Sequence, residues 1–451
     1  MICETADPAG LSPQIRKLMQ RTMSPLTGVT RSLGIFLGNR HEPRFVVAGA
    51  ELTGIHVLQG RAPPSRSMHI GGCGATAREA LLPALAEALE RYAQLQAGMR
   101  PPASTCFASH ADLVRTGSKA VAIEHLHYFS LEQEKASRHP FRRPTEEDSL
   151  QWSRGLSLVS GERLYAPDQL LFLGYTPQID RGEPWIAPAV TTGTAVHVTP
   201  LAALRNALLE LVQLDCAMGH WYGHQAPVRV IPDGRTRRLK AAIKTLVGVS
   251  STAKPEFYLL PNADLRVFTI ACLLVDEKGI PASVVGLGTD MRLEEAMYKA
   301  LSESSGIYQL AKLVLLQELQ THGGRLPTID TEQIYDLDMN VVYYAQAANA
   351  EGLRSRFREG QTATAADLPA DPDLPVGPDI APLIADFASS GKELLYYDLT
   401  TADLRDAGFF AIRVWSPDTI SLSLPSAPVL GHRRLAAYGG ARHDAGIHPY
   451  P

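Results

Sequence analysis

The 451-residue chain is poor in cysteine, and its five cysteines, Cys3, Cys73, Cys106, Cys216 and Cys272, are odd in number and scattered. No Cys-x-x-Cys pair occurs, which argues against a zinc knuckle or ribbon and against a disulfide framework. Long apolar runs are also missing. The longest candidate, Val267–Val275, falls far short of the roughly 20 residues a membrane helix needs, and reads as a buried strand. The N-terminus, Met-Ile-Cys-Glu-Thr-Ala-Asp, carries no basic region followed by an apolar one, so a cytoplasmic location is expected. Charge of one sign is lacking too: the formal net charge of −4 offers no global attraction to nucleic acid or to an anionic membrane. The basic cluster Arg235, Arg237, Arg238 and Lys240 reads as a solvated helix face.

Familiar nucleotide loops are absent as well. Gly391-Lys392 is followed by Glu393 and has Asp386 where a Walker loop needs its first glycine. Gly72-x-Gly74-x-x-Ala77 fits the dinucleotide pattern formally. No second strand with an acidic residue about 20 residues on completes it. Gly286-x-Gly288 has Met291 in place of the third glycine. His220 and His224 are spaced as a metal pair, but without a third ligand they read as structural residues at a helix end. Cys73, between glycines, reads as a structural thiol.

What is present is a phrase used three times. Ala84-Leu85-Ala86-Glu87, Ala207-Leu208-Leu209-Glu210 and Ala300-Leu301-Ser302-Glu303 each set a carboxylate inside an apolar helix. Each follows a glycine taken as a turn, with Glu87 13 residues after Gly74, Glu210 17 after Gly193 and Glu303 15 after Gly288. An unpaired buried carboxylate costs several kcal/mol, by order of magnitude, so three suggest a shared cation or polar site. Glu87, Glu90 and Arg91 stand at i, i+3 and i+4 on one helix face, and Glu210 and Gln213 repeat the i, i+3 spacing. Converging glutamates suit Mg2+, a cation that takes oxygen ligands and bridges to nucleotide phosphates, with Arg91 facing a phosphate.

The surrounding pattern predicts an α/β protein of mixed sheets with three pseudo-repeated strand, glycine turn and helix units. Strands are expected at Phe45–Ala50, Ile55–Leu58, Ala187–Val190, Ala282–Leu287 and Phe409–Val414. Helices are expected from Thr76 to about Ala97, from Pro200 with Thr199 as N-cap, from Arg292 to Glu318, and over Asp403–Ala407. Gln361–Asp379, rich in Asp, Pro and Ala, reads as a mobile loop or linker. The tail ends His448-Pro449-Tyr450-Pro451, pre-shaped for docking. We divide the chain into an N-terminal segment (1–65), one large domain (66–435) and the tail (436–451).

These residues resemble the YcaO family. Gly72–Tyr92, with Glu87-Ala88-Leu89-Glu90-Arg91, is similar to its first motif, Gly193–Asp215 to its second and Gly288–Glu303 to its third. Ser24-Pro25-Leu26-Thr27-Gly28-Val29, Gly408–Val414, Leu430–Leu435 and the proline-rich tail resemble the azoline-forming members, so the likeness covers nearly the whole chain. The resemblance implies an ATP- and Mg2+-dependent cyclodehydratase that converts Cys, Ser or Thr of a ribosomal precursor peptide to thiazoline or oxazoline. It implies Glu87, Glu90, Glu210 and Glu303 as metal ligands, with Arg91 and Gln213 joining them around the nucleotide. It also implies a tail that reaches the active site, where the Pro451 carboxylate or His448 moves protons. A separate leader-binding partner, ThiF-like or winged-helix, is expected, with a flavin dehydrogenase in the same complex and a homodimer as the default assembly. Departures from the motifs are Pro83, Ala195, Val198, Ala202, Leu214, Gly306 and Tyr308. They motivate one alternative, a non-catalytic scaffold subunit; peptide thioamidation is a further one, against which the azoline-type tail argues.

Overall fold

The computed structural model describes residues 13–24, 26, 28–52, 69–99, 104–136 and 138–451. The expected strand Ile55–Leu58 lies outside the described residues. After helix α1 (Pro13–Thr22), β1 (Thr30–Leu37), β2 (Val46–Leu52) and β3 (His69–Gly74) form an antiparallel sheet in that order. Helix α2 (Ala77–Met99) follows and lays Ala80, Leu81, Ala84 and Ala88 on this sheet.

A second sheet begins with β4 (Thr105–Ser109), β5 (Ser149–Ser157), β6 (Arg163–Pro167) and β7 (Thr194–His197). Helix α3 (Pro200–Tyr222) starts where the Thr199 hydroxyl accepts from the Ala202 N–H, with Pro200 at the first helical position. A third sheet is built from β8 (Val228–Ile231), β9 (Lys254–Leu259), β10 (Phe268–Val275), β11 (Ser283–Asp290) and β12 (Thr362–Thr364), in spatial order β11-β10-β9-β8-β12. Every residue of β10 and of the edge strand β11 is buried, because helix α4 (Leu293–Thr321) covers the pair on one side and α3 on the other. After helix α5 (Met339–Ala345), β13 (Leu395–Asp398) and β14 (Phe410–Trp415) return to the second sheet, whose order is β4-β5-β13-β14-β7 with β6 beside β5. No helix among the described residues is long and apolar enough to cross a membrane.

Three expectations are corrected. The glycines before the first and third helices are not turns: Gly71–Gly74 lie in β3 and Gly286–Gly288 in β11. They bring helix and strand together. A Cβ on Gly72 would sit 2.1 Å from the Ala80 carbonyl, and one on Gly288 would sit 2.3 Å from the Ala296 carbonyl and the Ala300 nitrogen. Only Gly193, at φ 83°, makes the turn expected of it; the strand of that unit, β7, follows the glycine, and Ala187–Val190 is irregular. Finally, Gln361–Asp379 is a structured connection and not a free linker. It carries β12, paired in parallel with β8, and ends at Asp379, buried between Arg205 and Arg292.

Candidate active site

The three glutamate helices meet at one cavity of about 2030 Å3. Glu87, Glu90 and Arg91 from α2, Glu210 and Gln213 from α3, and Glu303 from α4 all line it, together with Tyr450 and Pro451 of the tail. Each central glutamate is steadied by a backbone amide just upstream. The Gly71 N–H donates to Glu87 at 3.1 Å, the Leu287 N–H to Glu303 at 3.1 Å, and the Gly193 amide stabilises the Glu210 anion. The first and third amides belong to β3 and β11, so the close packing permitted by Gly72 and Gly288 puts the carboxylates within reach of strand backbone.

Cations are scarce among these acids. Arg91 donates to Glu87 at 2.9 Å and to Glu90 at 3.2 Å, and it also contacts the Thr191 hydroxyl. Arg413 lies fully buried on β14, donating to Thr194 at 3.0 Å and to the Leu170 carbonyl at 2.8 Å. Burial pulls the Arg413 guanidinium down to about 10, against the opposing pull of Glu210, Tyr397 and Glu90. The carboxylates go the other way. Burial, only partly offset by Arg91 and Arg413 and reinforced by Glu87, raises Glu210 to about 8. Burial, offset by the Leu287 amide and reinforced by Glu87, raises Glu303 to about 7. Glu90 is raised well above its ordinary value by burial, with Glu210 and Glu87 adding to it and Arg91 opposing. Glu87 thus repels all three of the others.

This donor set fits Mg2+ and a polyphosphate. Among the described residues, no three acidic, His or Cys side chains stand close enough to enclose a metal ion by themselves. Mg2+ does not require that, because it keeps waters and binds through one or two carboxylates plus phosphate oxygens. Carboxylates whose ionisation is held back by burial and mutual repulsion gain most from an arriving divalent cation.

Several cavity residues escaped the sequence reading. Lys17 and Arg21, spaced i, i+4 on α1, and Lys299, four residues before Glu303, all line the cavity. Their helical spacing was legible. Arg413 was signalled only as a lone charge in the apolar strand Phe-Ala-Ile-Arg-Val-Trp. Of the motif departures, Pro83, Ala195, Val198, Leu214 and Gly306 line the cavity, whereas Tyr308 turns away and donates to Asp276 at 3.1 Å.

His448 does not line the cavity. It is fully buried, its Nε2 bonds the Ser423 carbonyl at 2.7 Å, and burial pulls it down to about 4. That environment makes it an anchor of the tail and unsuited to carrying protons at neutral pH. The tail is further held by Asn340, whose amide donates to the His448 and Tyr450 carbonyls at 3.0 and 2.8 Å, and by Tyr344 on the Ile447 carbonyl at 2.6 Å. Pro451 is thereby left at the cavity wall. Burial pushes Cys73 up to about 12, which keeps its thiol protonated at neutral pH. The His220 and His224 pair is not a helical one, because α3 ends at Tyr222. His220 is buried beside the Phe357 ring, and burial holds it well below its usual range.

Comparison with known proteins agrees with this geometry. Residues 71–420 match the family model described as YcaO cyclodehydratase, ATP- and Mg2+-binding. A solved heterocyclase in complex with substrate and cofactor superposes with a TM-score of 0.68 at 18% identity, over 98% of this chain and 57% of that one. This chain therefore spans little more than half of that heterocyclase. YcaO from Methanopyrus kandleri, solved with AMPPCP and Mg2+, gives 0.58 at 17% identity, over 88% of each chain. A chain of the E. coli microcin synthetase McbBCD complex gives 0.60 at 12% identity, over 95% of this chain and 99% of that one. No curated protein matches by sequence.

Proposed function

Because the chain belongs to the YcaO family of ATP- and Mg2+-binding cyclodehydratases, we propose that it converts Cys, Ser or Thr of a ribosomal precursor peptide to thiazoline or oxazoline. The observation that carries this reading is the meeting of Glu87, Glu90, Arg91, Glu210, Gln213 and Glu303 with the chain's terminal Pro451 at one cavity. Bound Mg2+–ATP supplies the chemistry: after the substrate side chain adds to the preceding carbonyl, that oxygen takes the γ-phosphoryl group and leaves as phosphate, with ADP as co-product. Such a step asks the protein for position and charge neutralisation more than for covalent help.

In this reading Glu87, Glu90, Glu210 and Glu303 are the carboxylates that would hold Mg2+, one or two to each ion with phosphate oxygens and waters completing the shell, and Gln213 would border the nucleotide. Arg91 exchanges part of its pairing with Glu87 and Glu90 for phosphate oxygens. Arg413 stays beneath Glu90 and Glu210 as a fixed charge. The Pro451 carboxylate would accept the proton of the attacking side chain, and His448 would fix the backbone that positions it. The common phrase Ala-Leu-x-Glu then marks three copies of one device, a helix glutamate steadied by an upstream amide.

A separate leader-binding partner, ThiF-like or winged-helix, completes the proposal. It is supported by the multiprotein character of the related E. coli assembly, solved also with pro-MccB17 bound. A second reading, a non-catalytic scaffold subunit, is favoured by the apolar wall positions Ala195, Leu214 and Gly306. Incubation with partner, precursor peptide and Mg2+–ATP separates the readings by mass spectrometry. Loss of one water per ring is expected. A peptide left unchanged beside a competent partner overturns the first reading, and exchange of oxygen for sulfur points to thioamidation instead.

A further inference from the structure

The cavity is too large for a nucleotide alone: about 2030 Å3, against about 300–1,000 Å3 for a pocket holding one small molecule. Helix α4 shows where the excess lies. It lines the cavity from Lys299 to Leu316, a length of about 25 Å at 1.5 Å per residue. Glu303 stands near the first end. Beyond it Ile307, Leu310, Leu313 and Leu316 line the same cavity at three-residue intervals, and Phe36 of β1 lines it too. Leu316 is 58% exposed and Phe36 43% exposed. Large apolar side chains left open along the wall of an active-site cavity are a binding surface in search of apolar ligand groups.

Charge separates this stretch from the carboxylate end. Lys312 is the charged side chain on α4 between Glu303 and Leu316. It is already engaged by Glu42, which also accepts from Gln309 at 3.0 Å. Burial raises Glu42, yet the bonds from Lys312, Asn39 and Gln309 outweigh it and hold the carboxyl down at about 2. The pair is internally neutral, so α4 beyond Glu303 presents no spare charge of its own to draw phosphate or metal.

We infer that this trough along α4 holds apolar side chains of the peptide substrate, next to the residue being cyclised. The inference rests on the reading that the substrate is a peptide. An extended peptide rises about 3.4 Å per residue, so 25 Å takes roughly seven residues. The trough is continuous with the Glu303 end of the cavity, which keeps a bound segment in line with the phosphoryl donor.

The test uses fluorescein-labelled octapeptides with one Cys, flanked by Leu in one and by Glu in the other, titrated with the full chain and Mg2+–AMPPCP. The Leu-flanked peptide binds more tightly, and Leu316→Glu weakens it by about tenfold, the value of one buried leucine. Phe36→Glu weakens it likewise, and affinity for the nucleotide analogue is unchanged in both variants. Equal binding of the two peptides, no binding of either, or variants that bind as the unmodified protein does would each overturn the inference. So would sedimentation showing that Leu316→Glu abolishes self-association while peptide binding is retained, which assigns the face to a second copy. Water loss and ATP turnover on a competent precursor, with no dependence on Leu316 or Phe36, sinks the trough and keeps the cyclodehydratase. Leu-dependent binding without turnover does the reverse.

Discussion

Two carboxylates of α3, Glu210 and Asp215, lie little more than one turn apart and live in opposite surroundings. Asp215 is fully buried but saturated: Arg434 donates to it at 2.8 Å, the Tyr438 hydroxyl at 2.8 Å, Asn262 at 3.2 Å and the Ile420 amide at 2.9 Å. Its neighbour Asp264 also pairs with Arg434 and Lys392. There burial acts to raise the carboxyl, and the two cations bring it down to about 2. Glu210 has no such complement. It shares Arg91 and Arg413 with Glu87 and Glu90 and rises to about 8. The lesson is that burial alone does not mark a functional acid. A structural acid brings its own cation, and an acid at a binding site leaves that place for a ligand.

This contrast can be broken from either side. The largest effect is expected at Glu87, whose charge reaches the other three carboxylates: Glu87→Ala abolishes loss of water from the precursor, as read by mass spectrometry, while the fold survives by circular dichroism. Activity retained near the unmodified level would remove Glu87 from the site. On the structural side, Asp215→Ala leaves Arg434 paired with Asp264 but takes the acceptor from the buried Tyr438 hydroxyl and the Ile420 amide, and costs about 1–3 kcal/mol in denaturant unfolding. A loss under about 1 kcal/mol would mean that the cluster does not depend on its central acid.

A smaller effect of opposite sign is expected at Glu303. Its folded-state pKa is raised to about 7 from the ordinary 4.5. A raised acid stabilises the fold fully below its unfolded pKa and loses that contribution as pH climbs through the folded value. Glu303→Gln cannot ionise, so it raises the melting temperature of the ligand-free protein at about pH 8 and has little effect at about pH 4, while weakening Mg2+–ATP. A drop in melting temperature at pH 8 would show that the carboxylate is satisfied and not waiting for a cation. The smallest effect belongs to the exposed pair Arg31–Glu51, 3.9 Å apart. Arg31→Ala should leave melting temperature and activity unchanged, and a clear change in either would assign β1 a charge-dependent role.

Much of the fold was legible where local chemistry decides it. Thr199 and Pro200 start α3 as their side chains dictate, and the apolar run before Asp276 became the buried strand β10. The glycines misled because a turn and a close helix–strand approach look alike until the partner helix is placed. The 361–379 segment misled because the cations that order its end, Arg205 and Arg292, lie 174 and 87 residues away. The site was readable as far as one glutamate in each of three apolar helices. Arg413 was not, since it pairs with Thr194 across 219 residues and reads locally as an odd charge in a strand.

Calorimetry of Mg2+ with a non-hydrolysable ATP analogue, run in two buffers of different ionisation heat, tests the central claim most directly. If Glu210 and Glu303 are held partly protonated near 8 and 7, binding expels those protons. Release beyond that of the nucleotide itself should then be found at about pH 6.5, shrink by about pH 9, and fall in the Glu210→Gln, Glu303→Gln variant, where Glu90 is the raised acid that remains. Absence of binding, or binding with no such release at the lower pH, would contradict the account.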